Sequence, residues 1–345
     1  MSNRFIATLT VGMGFAGAGW AEVPNVATDI TPVHSLVAQV MQGVGEPALI
    51  VAPGATPHGY AMRPSDAAAL DRADIVVWIG AGLTPWLEDA IGTLAADAHS
   101  LSLLNAPDTR TLPFRQGATF AAHQHGDDGD HDDHAHDDHD HAHEGHAHDD
   151  HGHDDHGHDD RGDDHDHGDH ANEGTDPHAW LDPANARAWL SLIAAELAEH
   201  DPENAARYMA NADAARDAIS SLEAEITGQL APVGDVPFLV FHDAYQYFET
   251  SFGVAAAGAI SLSDASDPSA ARIAELRDLA AARDIACVFA EPQFDPKLVE
   301  TVFGGVARHG VVDPLATGVT PGPDLYLTLM GDMADAMTEC LGGPD

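Results

Sequence analysis

One stretch of this chain is barred from any core. From His123 to His170, 48 residues include 17 histidines and 19 aspartates or glutamates, interrupted only by Gly, Ala, one Gln and one Arg. With no apolar side chain larger than alanine, the stretch cannot bury enough surface to offset the entropy of ordering it. The expectation is a solvated, mobile insertion. Its near-repeats of His-Asp-Asp-His, at His131, His136, His148 and His153, carry no recurring apolar position and so specify no structural repeat. Imidazole nitrogens and carboxylate oxygens are ligands for zinc and other borderline divalent cations. The densest part therefore reads as an accessory metal-binding tract comprising His131, His134, His136, His139, His141, His143, His146, His148, His151, His153, His156 and His158.

The formal net charge is −43, with Lys297 the single lysine. No basic patch exists to neutralise phosphates, which argues against nucleic acid and anionic lipid as partners, whereas a strongly negative field concentrates cations. Met1 to Ala21 places Arg4 before a short apolar run and ends in Ala-Gly-Trp-Ala, the pattern of a secretory signal peptide cleaved near Ala21. The run is too short and glycine-broken to span a membrane, so a soluble, exported protein is expected. Two cysteines, Cys287 and Cys340, form an even number for an oxidising compartment. A disulfide pinning a C-terminal helix to a strand is expected; a cysteine metal site is the alternative, without any CxxC to favour it.

Roughly 275 residues remain outside leader and tract, enough for two domains of ordinary size. Short β-branched runs at Ala48–Ala52, Ile75–Gly80 and Leu101–Leu104 alternate with helix-length segments. A second series follows at Phe238–Phe241, Ala286–Ala290 and Val311–Val312, with a helix at Ser269–Arg283. The fold class is α/β: two lobes, each with a parallel sheet flanked by helices. Pro183–Glu199 and Glu203–Leu230 read as helices, the second about 42 Å long at 1.5 Å per residue, a rigid spine between lobes. The domain reading is 1–21 leader, 22–200 first lobe containing the 123–170 insertion, 203–230 linking helix and 231–345 second lobe.

Seven histidines lie outside the tract. His34, His99, His200 and His309 read as surface or structural residues. His58 follows a strand in a Pro/Gly loop, His242 ends Phe238–Phe241, and His178 sits in Asp-Pro-His-Ala-Trp before a helix. Ligands of open α/β sheets bind beyond the carboxyl ends of strands, so these three are candidates to converge between the lobes. By spacing alone they are equally consistent with ordinary structural histidines, because no helical HxxxH or HExxH pair is present.

The wording of four segments is more specific. Pro53-Gly54-Ala55-Thr56-Pro57-His58-Gly59-Tyr60, Asp176-Pro177-His178-Ala179-Trp180-Leu181-Asp182-Pro183, Phe241-His242-Asp243-Ala244-Tyr245 and Phe289-Ala290-Glu291-Pro292-Gln293-Phe294 closely resemble the ZnuA-type zinc-binding proteins, the substrate-binding components of zinc ABC importers. The resemblance covers nearly the whole mature chain, the paired cysteines and the His/Asp-rich insertion included. It implies a monomeric periplasmic protein that is not an enzyme, with His58, His178 and His242 binding Zn²⁺ for delivery to a membrane permease. A separate periplasmic zinc chaperone is a further partner it leaves open.

In manganese-binding relatives a carboxylate takes the place of His242 and an aspartate matching Asp313 completes the site. Histidine at 242 favours zinc. Pro57 cannot ligate, so water or Asp313 is left for the fourth position. Asp176, Asp243 and Glu291 are candidates to hold the rings through their second nitrogens, with helix or turn capping as the alternative. Trp86, Trp180 and Tyr60 are candidates to wall the cleft, and Arg63 and Asp66 to hold the loop after His58. The rival functions are a manganese-importer component, a His-rich metal buffer and a zinc hydrolase.

Overall fold

The computed structural model describes residues 23–115, 117, 119–120, 174–261, 269–294 and 296–343. The leader at 1–21 and the tract at 123–170 lie outside these. In the first lobe the order is β1 (Val26–Thr28), α1 (Thr31–Val40), β2 (Ala48–Leu49), α2 (Pro64–Asp71), β3 (Ile75–Trp78), α3 (Pro85–Leu94) and β4 (His99–Ser102). All pairings are parallel, in the order β2-β1-β3-β4. Ile75-Val76-Val77-Trp78 is buried throughout, as expected of an inner strand covered on both faces. Helices α2 and α3 open with proline at their first position, where the missing N–H has no intrahelical partner to lose.

Two helices follow, α4 (Pro183–His200) and α5 (Ala205–Leu230). Asp182 caps α4 by accepting from the Ala184 amide. The 26-residue α5 is about 39 Å long at 1.5 Å per residue. It buries Tyr208, Ala212, Ala215, Ile219, Ile226 and Leu230, a stripe at helical spacing. Near its start Asn211 donates to Val40 O in the first lobe, and near its end Gln229 donates to Asp335 in the second. The expected helix from Glu203 begins instead at Ala205, because Asp201 accepts from Asn204 and Tyr208 and holds residues 201–204 as a turn.

The second lobe repeats the first: β5 (Phe238–His242), α6 (Gln246–Phe252), β6 (Ala256–Ser261), α7 (Ala270–Ala282), β7 (Cys287–Ala290), α8 (Pro296–Phe303), β8 (Arg308–Val311) and α9 (Leu325–Leu341). Its parallel order, β6-β5-β7-β8, matches that of the first sheet. Cys287 at the start of β7 is disulfide-bonded to Cys340 near the end of α9, with Cα atoms 6.0 Å apart. Gly310 of β8 lies in the same corner, where an added Cβ would stand 2.6 Å from the Phe289 ring.

The lobes are not separate cores. One apolar cluster runs from Val33, Leu36 and Val37 of α1 through Trp189 of α4 and Ile219 of α5 to Phe248 of α6 and Met330 and Met333 of α9. Hydrogen bonds follow the same route: Thr31 Oγ1 donates to Leu315 O, and the Tyr326 hydroxyl to Trp180 O. Among the described residues no helix is long and apolar enough to cross a membrane.

The described flanks of the insertion touch both lobes. Pro113 bridges Thr175 and Asp176 N donates to Leu112 O, so the two ends lie side by side. Thr119, however, bridges Gly258, and Phe120 N donates to Ala257 O on β6. The leading flank thus also meets the edge of β6 in the second lobe.

Candidate metal centre

In a sheet ordered β6-β5-β7-β8, chain connections reverse direction between β5 and β7, and the carboxyl ends of those two strands open a crevice. His242 is the last residue of β5 and Glu291 the first after β7. Parallel pairing brings them together: His242 Nδ1 lies 2.5 Å from Glu291 Oε1. A carboxylate on Nδ1 fixes the ring as the tautomer whose Nε2 is left for the cleft. Phe294 meets the His242 ring edge-on, centroids 6.1 Å apart.

His178 comes from the turn before α4. Asp176 Oδ1 accepts from both its backbone N–H (3.0 Å) and its Nδ1 (2.7 Å), locking backbone and ring with one oxygen. Burial pushes the Asp176 carboxyl up to about 7, against the pull of the His178 amide and the Arg115 charge. Its ring packs on Trp180 at 5.2 Å, and Trp180 Nε1 donates to Pro314 O across the lobe boundary. His178 Nε2 and His242 Nε2 stand 3.4 Å apart. Two ligands of a tetrahedral zinc with bonds of 2.0–2.1 Å are about 3.3 Å apart.

His58 enters from the loop after β2, its ring centroid 6.0 Å from that of His178. Trp86 Nε1 donates to Pro57 O at 2.8 Å and its ring packs on Tyr60. The Tyr60 hydroxyl, the Arg63 guanidinium and the Arg63 amide all donate to Asp66. Burial acts to raise the Asp66 carboxyl, but these donors outweigh it and hold the group down to about 2. The three rings, with Trp180, Gln293 and Leu315, line one small cavity between the lobes.

Two acids are otherwise engaged. Asp243 pairs with Arg115, not with a histidine, because the guanidinium also reaches Glu249 and sits 3.9 Å over the Phe120 ring. Burial alone would lower the Arg115 pKa, and the two carboxylates drive it up instead. Asp313 accepts from Leu315 N, Thr317 N and Thr317 Oγ1, closing its own loop. Arg115 was invisible as a site residue in the sequence; its only signal is an arginine at the mouth of an acidic insertion. Gln293 Nε2 donates to Glu291 Oε2 at 2.6 Å and steadies the carboxylate from behind. Of the remaining histidines, His34 bonds Pro47 O and His309 lies on β8, while His99 and His200 meet elsewhere.

Comparison with known proteins agrees with this architecture. The chain is 48% identical over 324 residues to the high-affinity zinc uptake system protein ZnuA of Paracoccus denitrificans, covering 93% of each chain. It is 45% identical over 343 residues to the protein of the same description in Brucella abortus, covering 99% of this chain and 98% of that one. A zinc-bound deletion mutant of ZnuA superposes with a TM-score of 0.68 at 21% identity, covering 94% of this chain and 100% of that structure. The periplasmic zinc binding protein TroA of Treponema pallidum superposes at 0.69 and 18% identity, covering 93% and 99%; at such identities these two speak for the fold alone. The family model of ZnuA, "Zinc-uptake complex component A periplasmic", matches residues 26–340, and the chain belongs to that family of solute-binding proteins.

Proposed function

We propose that His58, His178 and His242 capture one Zn²⁺ in the interlobe cavity and that the protein delivers it to the permease of a zinc ABC importer. The observation that carries this reading is the pair of Nε2 atoms 3.4 Å apart, each on a ring whose other nitrogen is held by a carboxylate. A nitrogen-rich, low-coordinate site suits zinc, whereas manganese prefers more oxygen ligands. With Asp313 bound to its own loop, water takes the fourth position. Among the described residues, the acids near the rings are bonded to imidazoles, to Arg115 or to loop amides, an arrangement that supports carriage. Capture needs neutral imidazoles, so affinity falls as pH drops through the range in which histidines take up a proton.

The tract serves as a collector: its many weak sites raise the local supply of ions, and its trailing end joins the fold shortly before His178. Chelator-competition titration of the mature protein with and without residues 123–170 tests both parts. One tight zinc that survives the deletion and is lost in His242→Ala is the expected result. Loss of all tight binding on deletion would make the tract the receptor. Unchanged uptake at limiting zinc after deletion would remove the collector role.

A further inference from the structure

The described residues contain a second group of metal-ligand side chains, remote from the cleft. His99 opens β4, the outer strand of the first sheet, and Glu196 and His200 lie one turn apart at the end of α4. Ligand atoms of all three fall within 4.8 Å of one another. Both imidazoles address the same oxygen: His99 Nδ1 contacts Glu196 Oε1, and His200 Nε2 lies 3.0 Å from it. The two rings stack with centroids 6.2 Å apart and planes 18° off parallel. The Glu196 side chain is only 11% exposed, while His99 and His200 remain open to water at 56% and 33%. A well-held carboxylate with two accessible imidazoles is a ligand set into which an ion can enter from solvent.

We propose that His99 Nδ1, Glu196 and His200 Nε2 form a second site for Zn²⁺ or a similar borderline divalent cation, with water completing a tetrahedron. Two nitrogens and one carboxylate oxygen are the donors such ions take at 2.0–2.2 Å, and withdrawal of the exposed His99 ring from the carboxylate by roughly an ångström opens the centre to tetrahedral ligand spacing. Spacing four apart on a helix places Glu196 and His200 on one face, and the partial negative charge at the end of α4 favours a cation there. The site lies at the amino end of the parallel sheet, opposite the cleft. Helix α4 begins five residues after His178 and carries His200 about 27 Å away over its 18 residues. The two sites therefore share no ligand. A bound ion would tie the outer strand of the first sheet to the end of α4.

The test is anomalous diffraction above and below the zinc edge from crystals of the full mature chain grown with excess Zn²⁺. The expected result is a peak bonded to His99, Glu196 and His200 that disappears in His200→Ala and in His99→Gln, with the cleft peak intact in both. No peak among these residues at a zinc level that fills the cleft would overturn the proposal and leave the group as an ion-paired surface cluster. A peak of undiminished height in His200→Ala would overturn it equally. A cleft without zinc would count against the proposed function and not against this site.

Discussion

At the scale of single residues, the rings of the cleft are set by what lies behind them. Glu291 holds His242 through Nδ1, so its removal frees the ring to turn and lowers the basicity of Nε2. Glu291→Ala is expected to weaken zinc binding about 10- to 100-fold, and Glu291→Gln, which keeps an acceptor, by less; chelator competition reads both. The carboxylate of Asp29 supplies a different signal. It accepts from the Ile79 and Ile30 amides in full burial, which raises its pKa to about 7 against the pull of those amides. Between about pH 4 and 7 the folded state therefore keeps a proton that the unfolded state has released, and stability falls as pH rises through that window. In metal-free protein, urea unfolding of Asp29→Asn should show a shallower decline, by up to about 1.4 kcal/mol per pH unit, whatever its absolute stability.

That His58, His178 and His242 sit at strand ends or in a Pro-rich turn was legible from sequence, but position alone left them level with ordinary structural histidines, and it was the family resemblance that singled them out. The partners of the acids were not legible. Asp243 follows His242 directly yet serves Arg115, whereas Glu291, 49 residues on, reaches the ring because β5 and β7 are neighbours.

At the scale of elements, patterning revealed three strands in each sheet and missed β1 and β6. Val26–Thr28 has three residues, too few for a periodicity, and Ala256–Ser261 is built of small residues with weak strand preference. Pairing with β5 makes β6 a strand, a cause invisible to local sequence. The strand expected at Leu101–Leu104 lies instead at His99–Ser102, and Leu103–Asn105 is a 3-10 turn. The disulfide belongs at this scale because it joins β7 to α9 across 53 residues. Replacing both cysteines by alanine should lower unfolding stability by about 2–4 kcal/mol, measured by denaturant titration under non-reducing conditions.

At the scale of the whole molecule, a two-lobed shape suggests a hinge, but the interior contradicts independent lobes. Helices α1, α4, α5, α6 and α9 contribute to one apolar cluster, and the Trp180, Tyr326 and Thr31 hydrogen bonds cross the boundary where the rings meet. Wide opening would expose that cluster to water at roughly 25 cal/mol per Å² of apolar surface, a cost that confines spontaneous motion to small shifts and loop ordering. An ion seated at such a boundary has no easy exit of its own. Discharge is then a task for the receiver: chelator-chase kinetics should show zinc leaving the free protein slowly and leaving much faster when the cognate permease is present, since only an outside contact can prise apart what the shared interior keeps shut.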